Sequence, residues 1–316
     1  MISKSHLQLL SYLLGTTDSE LSVTSLADSL DWSLGHTSRV VSELKTWGCV
    51  RTETQGRRKV VVPTDIEPVE ELEALLTEYS HVDFPQLIAG SGLQILYYLD
   101  HSWTATEIVE HSNVSRATVY RRLDDLQQVG IVSKSTSQYE LNDQFTPLSS
   151  IARGLYHHRH RREAKRHTGK ISIHWETHDE YLFTCDEKIE DNKFYLTGPA
   201  RFEAFDVPLL RRDQRQYIRS DRLAEITPAD LICHTLLVDG GPRYRTYCLL
   251  LIEKQAVEPS ALQERAAHYQ PEAALDLRAV VDELLEYLQT EGEATTDRLP
   301  EWEAFEQTAT EYDITI

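Results

Sequence analysis

Two segments of this chain repeat one pattern at a constant offset of about 82 residues, and no gap is needed to align them. In each copy, a serine suited to capping a helix precedes an amphipathic helix, a glycine ends that helix, and a short strand follows. Two helices, a glycine and a strand recur together, so the sequence predicts two modules of the same fold. The clearest pairs are Ser33 and Ser115, Leu44 and Leu126, and Gly48 and Gly130.

Periodicity divides the N-terminal half into three parts. Residues 1–65 contain three helical stripes and then two alternating apolar strands, which together predict one module with a hairpin. Residues 66–82 are acidic with helical spacing and are interpreted as a connecting helix. Residues 83–150 repeat the order of the first module, beginning with one helix over residues 87–99.

The remaining sequence predicts a basic linker helix at 151–170 and an α+β effector or assembly domain with an acidic tail at 171–316. From Thr290 the tail is polar, and we expect it to be loosely packed or to form a short helix. The predicted strands are 171–175, 181–184, 194–196 and 216–219, and the predicted helices are 228–238, 243–255, 259–268 and 272–289.

The order of helix, helix, capped helix, glycine and hairpin is that of a winged helix-turn-helix. Both modules resemble the MarR and ArsR families of regulators. The segments that carry the resemblance are SLGHTSRVVSELKTWGCV at 33–50, with a wing at 51–62, and VSRATVYRRLDDLQQVGIV at 114–132. The resemblance implies an α+β protein with two tandem winged helix-turn-helix domains followed by an α+β C-terminal domain, and double-stranded DNA as a partner.

A helix fits the major groove, and exposed residues near its N-terminus reach base edges. The second module also carries Asp124 and Asp125 on its third helix, so it could instead dimerise. The predicted DNA-binding residues of the first module are Ser33, Gly35, His36, Ser38, Arg39 and Ser42 on the helix and Arg57, Arg58 and Lys59 on the wing. Those of the second module are Ser115, Arg116, Thr118, Tyr120, Arg121, Arg122 and Lys134.

The formal net charge of −19 runs against generic DNA binding, which needs local positive charge. Asp and Glu abound while Lys is scarce, a composition similar to that of haloarchaeal proteins. In a high-salt cytoplasm phosphate attraction is screened, so recognition would depend on base and shape contacts. The basic run at 152–170 is either a DNA-backbone contact or a solvated helix face.

The sequence also narrows location and chemistry. It contains no span of about 20 apolar residues and no signal peptide, so we expect a soluble cytoplasmic protein with no membrane partner. The four cysteines are widely spaced and are interpreted as buried free thiols. We expect no cofactor and no metal, because the histidines near residue 160 lack matching carboxylates or thiols.

The segments FYLTGPARFEAFDVPL at 194–209 and ITPADLICHTLL at 226–237 resemble nucleotidyltransferase-like domains, an arrangement also found in AbiE-type antitoxins. The resemblance implies paired acids that hold magnesium, but Asp206 is followed by Val-Pro and lacks a second acid two residues on. We therefore expect no enzyme activity.

Three functions remain open for the whole chain. The favoured one is a sequence-specific regulator whose C-terminal domain binds a ligand, a partner or a second copy. A homodimer is expected because the apolar faces of 259–268 and 272–289 exceed what one domain edge needs. The alternatives are the antitoxin of a toxin–antitoxin pair, with the toxin as partner, and a nucleotidyltransferase-like enzyme.

Overall fold

A computed structural model describes residues 1–16, 21–55, 58–209, 214–293 and 296–316, without the side chains of residues 55 and 58. The chain divides into two compact units, Met1–Arg162 and Glu163–Ile316. Its fold class is α+β, as predicted. Within the described ranges, no helix combines the length and apolar character that a membrane crossing requires.

The N-terminal unit contains two consecutive modules with matching elements. The first consists of α1 (Lys4–Gly15), α2 (Val23–Leu30), α3 (Leu34–Trp47), β1 (Val50–Gln55), β2 (Arg58–Pro63) and α4 (Glu67–Glu78). The second consists of α5 (Phe84–Ile88), α6 (Ser91–Tyr98), β3 (Trp103–Thr104), α7 (Ala105–Ser112), α8 (Arg116–Gln128), β4 (Val132–Ser135), β5 (Gln138–Leu141) and α9 (Pro147–Ala164).

The predicted repeat is confirmed in detail. The helices α7 and α8 begin 82 residues after α2 and α3. Asp31 and Asn113, which follow α2 and α7, are both left-handed, with φ of 55° and 53°. The strand pair of each wing is antiparallel. Both copies therefore share backbone conformation at their turns as well as their helices.

The second copy departs from the prediction at its start. In place of one helix over 87–99 there are two, α5 and α6, separated at Ala89 and Gly90. Gly90 has φ of 61°, which favours glycine, and its N–H donates to the carbonyl oxygen of Ile2 at 2.8 Å. The short strand β3 was also not predicted, because two residues give no periodicity to detect.

The basic segment predicted as a linker is a structural helix, α9, that ends at Ala164 and not at 170. Its apolar side packs into the core of the N-terminal unit through Ile151 and Leu155. Arg162 donates to the carbonyl oxygens of Lys45 and Thr46 at 3.1 and 3.3 Å, at the end of α3. These contacts favour a packing role over a DNA-backbone contact.

The glycines that end α3 and α8 provide a matched test of packing. Gly48 and Gly130 are both left-handed, with φ of 81° and 73°. A Cβ on Gly48 would clash with the His158 ring and lie 2.8 Å from Cδ of Arg162, whereas one on Gly130 meets open space.

We expect Gly130→Ala to cost about 1–2 kcal/mol of unfolding free energy, from backbone strain alone. Gly48→Ala should cost about 1–3 kcal/mol more, because the His158 and Arg162 side chains of α9 must also move. Urea denaturation of the two variants checks this difference, and equal losses would show that the α9 contact at Gly48 is loose.

The C-terminal unit places a four-stranded antiparallel sheet, in the order β6-β7-β9-β8, against helices. All four predicted strands are confirmed. The strands are β6 (Ile171–Glu176), β7 (Tyr181–Cys185), β8 (Phe194–Thr197) and β9 (Arg215–Arg219). The helices are α10 (Pro228–Val238), α11 (Pro242–Lys254), α12 (Pro259–Tyr269), α13 (Leu277–Gln289) and α14 (Trp302–Glu311). The four cysteines are buried free thiols, as predicted: Cys49, Cys185, Cys233 and Cys248.

The apolar faces that suggested a second chain are used inside the C-terminal unit. Leu262 on α12 and Val281 and Leu284 on α13 are fully buried in its core. Of the two expectations for the tail, the short helix is confirmed: α14 inserts Phe305 into the same core. The apolar surplus on which the expected homodimer was based is therefore absorbed within one chain.

Candidate nucleic-acid interface

Each recognition helix begins at a serine that caps it. The Ser33 hydroxyl accepts from the backbone N–H of His36 at 3.3 Å, and the Ser115 hydroxyl accepts from that of Thr118 at 3.4 Å. A capping oxygen satisfies a helix N–H that otherwise has no partner. Ser33 and Ser115 therefore fix where α3 and α8 begin, in addition to any contact they make with DNA.

The exposed surface of α3 is the stripe that the sequence predicted. Gly35, Ser38, Arg39 and Ser42 are exposed, and Leu34 at the helix start leaves 55% of its surface open. Arg39 makes no hydrogen bond or ion pair with any residue that the structure describes. Its guanidinium is thus available to an external partner.

His36 contributes less surface than its exposed neighbours on α3. It is half-buried, with its ring centroid 4.8 Å from that of Trp32. The contact orients the imidazole while leaving one side open.

The exposed surface of α8 contains Arg116 and Arg121. The Arg116 guanidinium lies 5.6 Å from the ring centroid of half-buried Tyr120, and Thr118 is also half-buried. Arg121 has no hydrogen bond or ion pair within the described part of the chain. It stands at the position of α8 that corresponds to Arg39 in α3, 82 residues earlier.

Arg122 is placed differently from the prediction. Its guanidinium donates to the carbonyl oxygens of Gln86 and Ala89 and to the hydroxyl of Ser91, at 3.2 to 3.3 Å. Burial lowers the pKa of Arg122. Arg122 therefore stabilises the junction between α5 and α6. This role was not predictable, because the sequence predicts one continuous helix there.

The two wings differ in length and charge. Arg57 lies outside the described residues, and Arg58 is described by its backbone alone, paired with Gln55 in the hairpin. Lys59 is exposed. In the second wing, Lys134 is exposed, with its Nζ 5.0 Å from the ring centroid of Tyr139.

A second candidate site lies at one end of the sheet in the C-terminal unit, around a cavity of about 1040 Å³. Ser172, Thr184 and Gln216 are cross-strand neighbours that line it. They lie on the same sheet face as Leu182 and Ile218, which pack against helices. This face is therefore apolar where it meets the helices and polar where it lines the cavity.

Among the described residues, the polar floor of this cavity includes an unsatisfied hydrogen-bond acceptor. The Nε2 of His174 lies 2.7 Å from the Thr184 hydroxyl, and burial lowers the pKa of His174. Oε1 of Gln216 is buried without a hydrogen-bond partner among the described residues. Sequence reasoning missed this site, although polar residues within apolar strands gave a signal for it. The charged residues of the lining are Lys188, Arg215, Arg243, Asp186, Glu203 and Asp239.

Two family models match segments of the chain, one in its N-terminal half and one in its C-terminal half. A family model described as an HTH domain matches residues 93–139, from α6 to β5 of the second module. The C-terminal family model HVO_2833_C matches residues 191–314. Neither a curated protein nor a solved structure matches the chain. The helix-turn-helix match supports a DNA-binding regulator.

Proposed function

We propose that the chain is a sequence-specific transcriptional regulator in which two tandem MarR- or ArsR-like modules contact double-stranded DNA. The observation that carries this proposal is the matched pair Arg39 and Arg121. Both are exposed, occupy equivalent positions on α3 and α8, and have no partner among the described residues. Arginine in a recognition helix donates bidentate hydrogen bonds to guanine, which is the commonest specific contact in the major groove.

The neighbouring side chains suit close approach to bases. Gly35 and Ala117, at equivalent positions, are exposed and too small to hold the helix away from the groove. Leu34 offers exposed apolar surface of the kind that contacts a thymine methyl group. Direct base contacts of this type fit an acidic protein, which gains little from general phosphate attraction.

Genome-wide occupancy of the tagged full-length protein tests this proposal. We expect the protein to occupy discrete genomic sites that share a sequence motif. In gel-shift assays at fixed salt, DNA with this motif should bind the protein in the presence of excess bulk DNA. Occupancy spread evenly along the genome, with no motif in the gel-shift assay, would contradict it.

For the C-terminal unit we propose ligand binding without catalysis. Among the described residues, three cations and three anions line the cavity, and their charges cancel. Oε1 of Gln216 needs a donor because a buried acceptor without a partner is costly. These features fit an uncharged small molecule with amide or hydroxyl groups. No observation on the described residues favours a toxin partner or nucleotidyl transfer.

A thermal-shift panel of nucleosides, sugars and amino-acid amides tests the cavity. We expect at least one compound to raise the Tm of the native protein, because a ligand that binds the folded state stabilises it. The shift should shrink in Gln216→Leu, which keeps similar volume but removes the acceptor. Identical shifts in both proteins would contradict a site at Gln216.

We also propose that the acidity adapts the protein to a salt-rich cytoplasm. The acidic side chains that give the net charge of −19 repel one another most strongly at low ionic strength. We expect the Tm to rise steadily between dilute and molar KCl, a salt chosen because it is less kosmotropic than sulfate. A Tm independent of KCl would contradict the adaptation.

A further inference from the structure

We propose that an approximate twofold axis relates the two modules of the N-terminal unit, as it relates the subunits of a symmetric dimer. One chain therefore binds an operator that consists of two inverted half-sites. This inference rests on the proposed DNA-binding function. It specifies the symmetry of the target and the number of chains bound, neither of which follows from DNA binding alone.

The first observation is a contact between residues at equivalent positions of the two copies. Nζ of Lys4 on α1 donates to Oε1 of Gln86 on α5 at 2.6 Å. Gln86 stands 82 residues after Lys4, which is the repeat offset. In a twofold arrangement, residues near the axis meet their own equivalents, whereas a head-to-tail arrangement joins two different patches.

The second observation comes from the helices that follow the wings. A Cβ on Gly154 of α9 would lie 3.2 Å from Cβ of Pro68 on α4. Past the wings the hairpin registers make Pro63 correspond to Leu141, so the offset falls to 78 and Leu72 corresponds to Ser150. Pro68 lies four residues before Leu72 and Gly154 lies four residues after Ser150, as in two antiparallel helices that cross at equivalent residues. Two helix pairs, α1 with α5 and α4 with α9, therefore both meet near their own equivalents.

The two modules are also joined into one body. A single apolar core runs from Ile2 to Tyr156 and includes residues of both copies. Their relation is thus fixed by buried packing, in the way that an interface fixes the subunits of a dimer.

The approximate twofold relation predicts the form of the operator. Arg39 and Arg121 are equivalent, so they should read the same base pair in the two half-sites, on opposite strands. Ser38 corresponds to Tyr120, so other positions should differ and the palindrome should be imperfect. Half-sites read by paired recognition helices lie about one helical turn, 10–10.5 base pairs, apart.

Selection from a random duplex library with the full-length protein tests this inference. We expect an imperfect inverted repeat, bound by one chain per duplex in sedimentation experiments. In footprints of that site, Arg39→Ala should lose protection of one half and Arg121→Ala of the other. Each should lower affinity about 5- to 150-fold.

A variant with matched recognition helices sharpens the test. Arg116→Leu, Ala117→Gly, Thr118→His, Tyr120→Ser and Asp124→Ser together give the exposed part of α8 the corresponding residues of α3. We expect the selected site to become more nearly palindromic while one chain still binds. Circular dichroism and Tm check that this variant folds, and the single arginine variants apply if it does not.

The outcomes separate this inference from the proposed function. A selected motif that is a direct repeat, a single half-site, or a palindrome holding two chains would overturn the inference while leaving DNA binding intact. Failure to select any motif would overturn both.

Discussion

Asp230→Ala should destabilise the C-terminal unit by about 3–5 kcal/mol, because it breaks a buried ion pair from one side. Asp230 lies in the first turn of α10 with its side chain almost fully buried. One carboxylate oxygen accepts from Arg265 and, at 3.1 Å, from the hydroxyl of Tyr269. The other accepts from the Thr227 hydroxyl at 2.6 Å, which closes a capping box.

The control is Asp276→Ala, which removes the capping aspartate of α13. Asp276 accepts from the backbone N–H of Ala279 but is exposed, so its loss should cost about 0.5–2 kcal/mol. Urea unfolding followed by tryptophan fluorescence compares the two. Equal losses of unfolding free energy in the two variants would mean that the Asp230–Arg265 ion pair adds nothing beyond an ordinary helix cap.

The same carboxylate predicts a pH dependence. Burial acts to raise the pKa of Asp230, but the Thr227 hydrogen bond and the charges of His234 and Arg265 outweigh it, so the pKa lies below its usual value. Its stabilising contribution is therefore complete above the unfolded pKa, about 3.9, and is lost as pH falls through the folded pKa. Asp230→Ala should be less sensitive to pH in this acid range than the native protein.

Replacing both matched arginines, Arg39→Ala with Arg121→Ala, should lower specific DNA affinity by about 2–6 kcal/mol if the two losses add. At fixed salt that is a loss of at least about 30-fold. Both side chains are exposed, so the Tm should change little. Fluorescence anisotropy on the selected operator measures the affinity.

The matched control removes two positive charges elsewhere. Arg278 and Arg298 are exposed residues of the C-terminal unit, outside both recognition helices. Arg278→Ala with Arg298→Ala should leave operator affinity nearly unchanged. An equal drop in both double variants would point to a general charge effect and remove α3 and α8 as the specific contacts.

The sequence sufficed wherever the signal was local. Ser33 and Ser115 indicate where helices start, because serine side chains cap helices well. Gly48 indicates where a helix ends, because glycine readily adopts the left-handed backbone found there. Strands such as 181–185 are recognisable because β-branched and aromatic residues cluster between turns. These signals fixed the repeat, the recognition helices and the four strands of the C-terminal sheet.

Features that depend on distant partners could not be predicted. The basic residues of α9 resemble a solvated face, and their contacts on α3 arise only after folding. Arg122 has the same local context as Arg121, yet the carbonyls at the α5–α6 junction engage one and leave the other exposed. Likewise, the faces of α12 and α13 suggested a partner because their packing on each other, on α10 and, for α13, on α14 has no local signature.

Because the two modules differ in length, a bound chain has a defined direction along the DNA. A symmetric dimer looks the same from either end of its site, so inverting the site changes nothing. Here α4 has 12 residues and α9 has 18, and the counterpart of continuous α1 is broken at Gly90. A chain bound to DNA therefore has distinguishable upstream and downstream ends, and flipping an operator relative to a promoter would reverse which module faces the start of transcription.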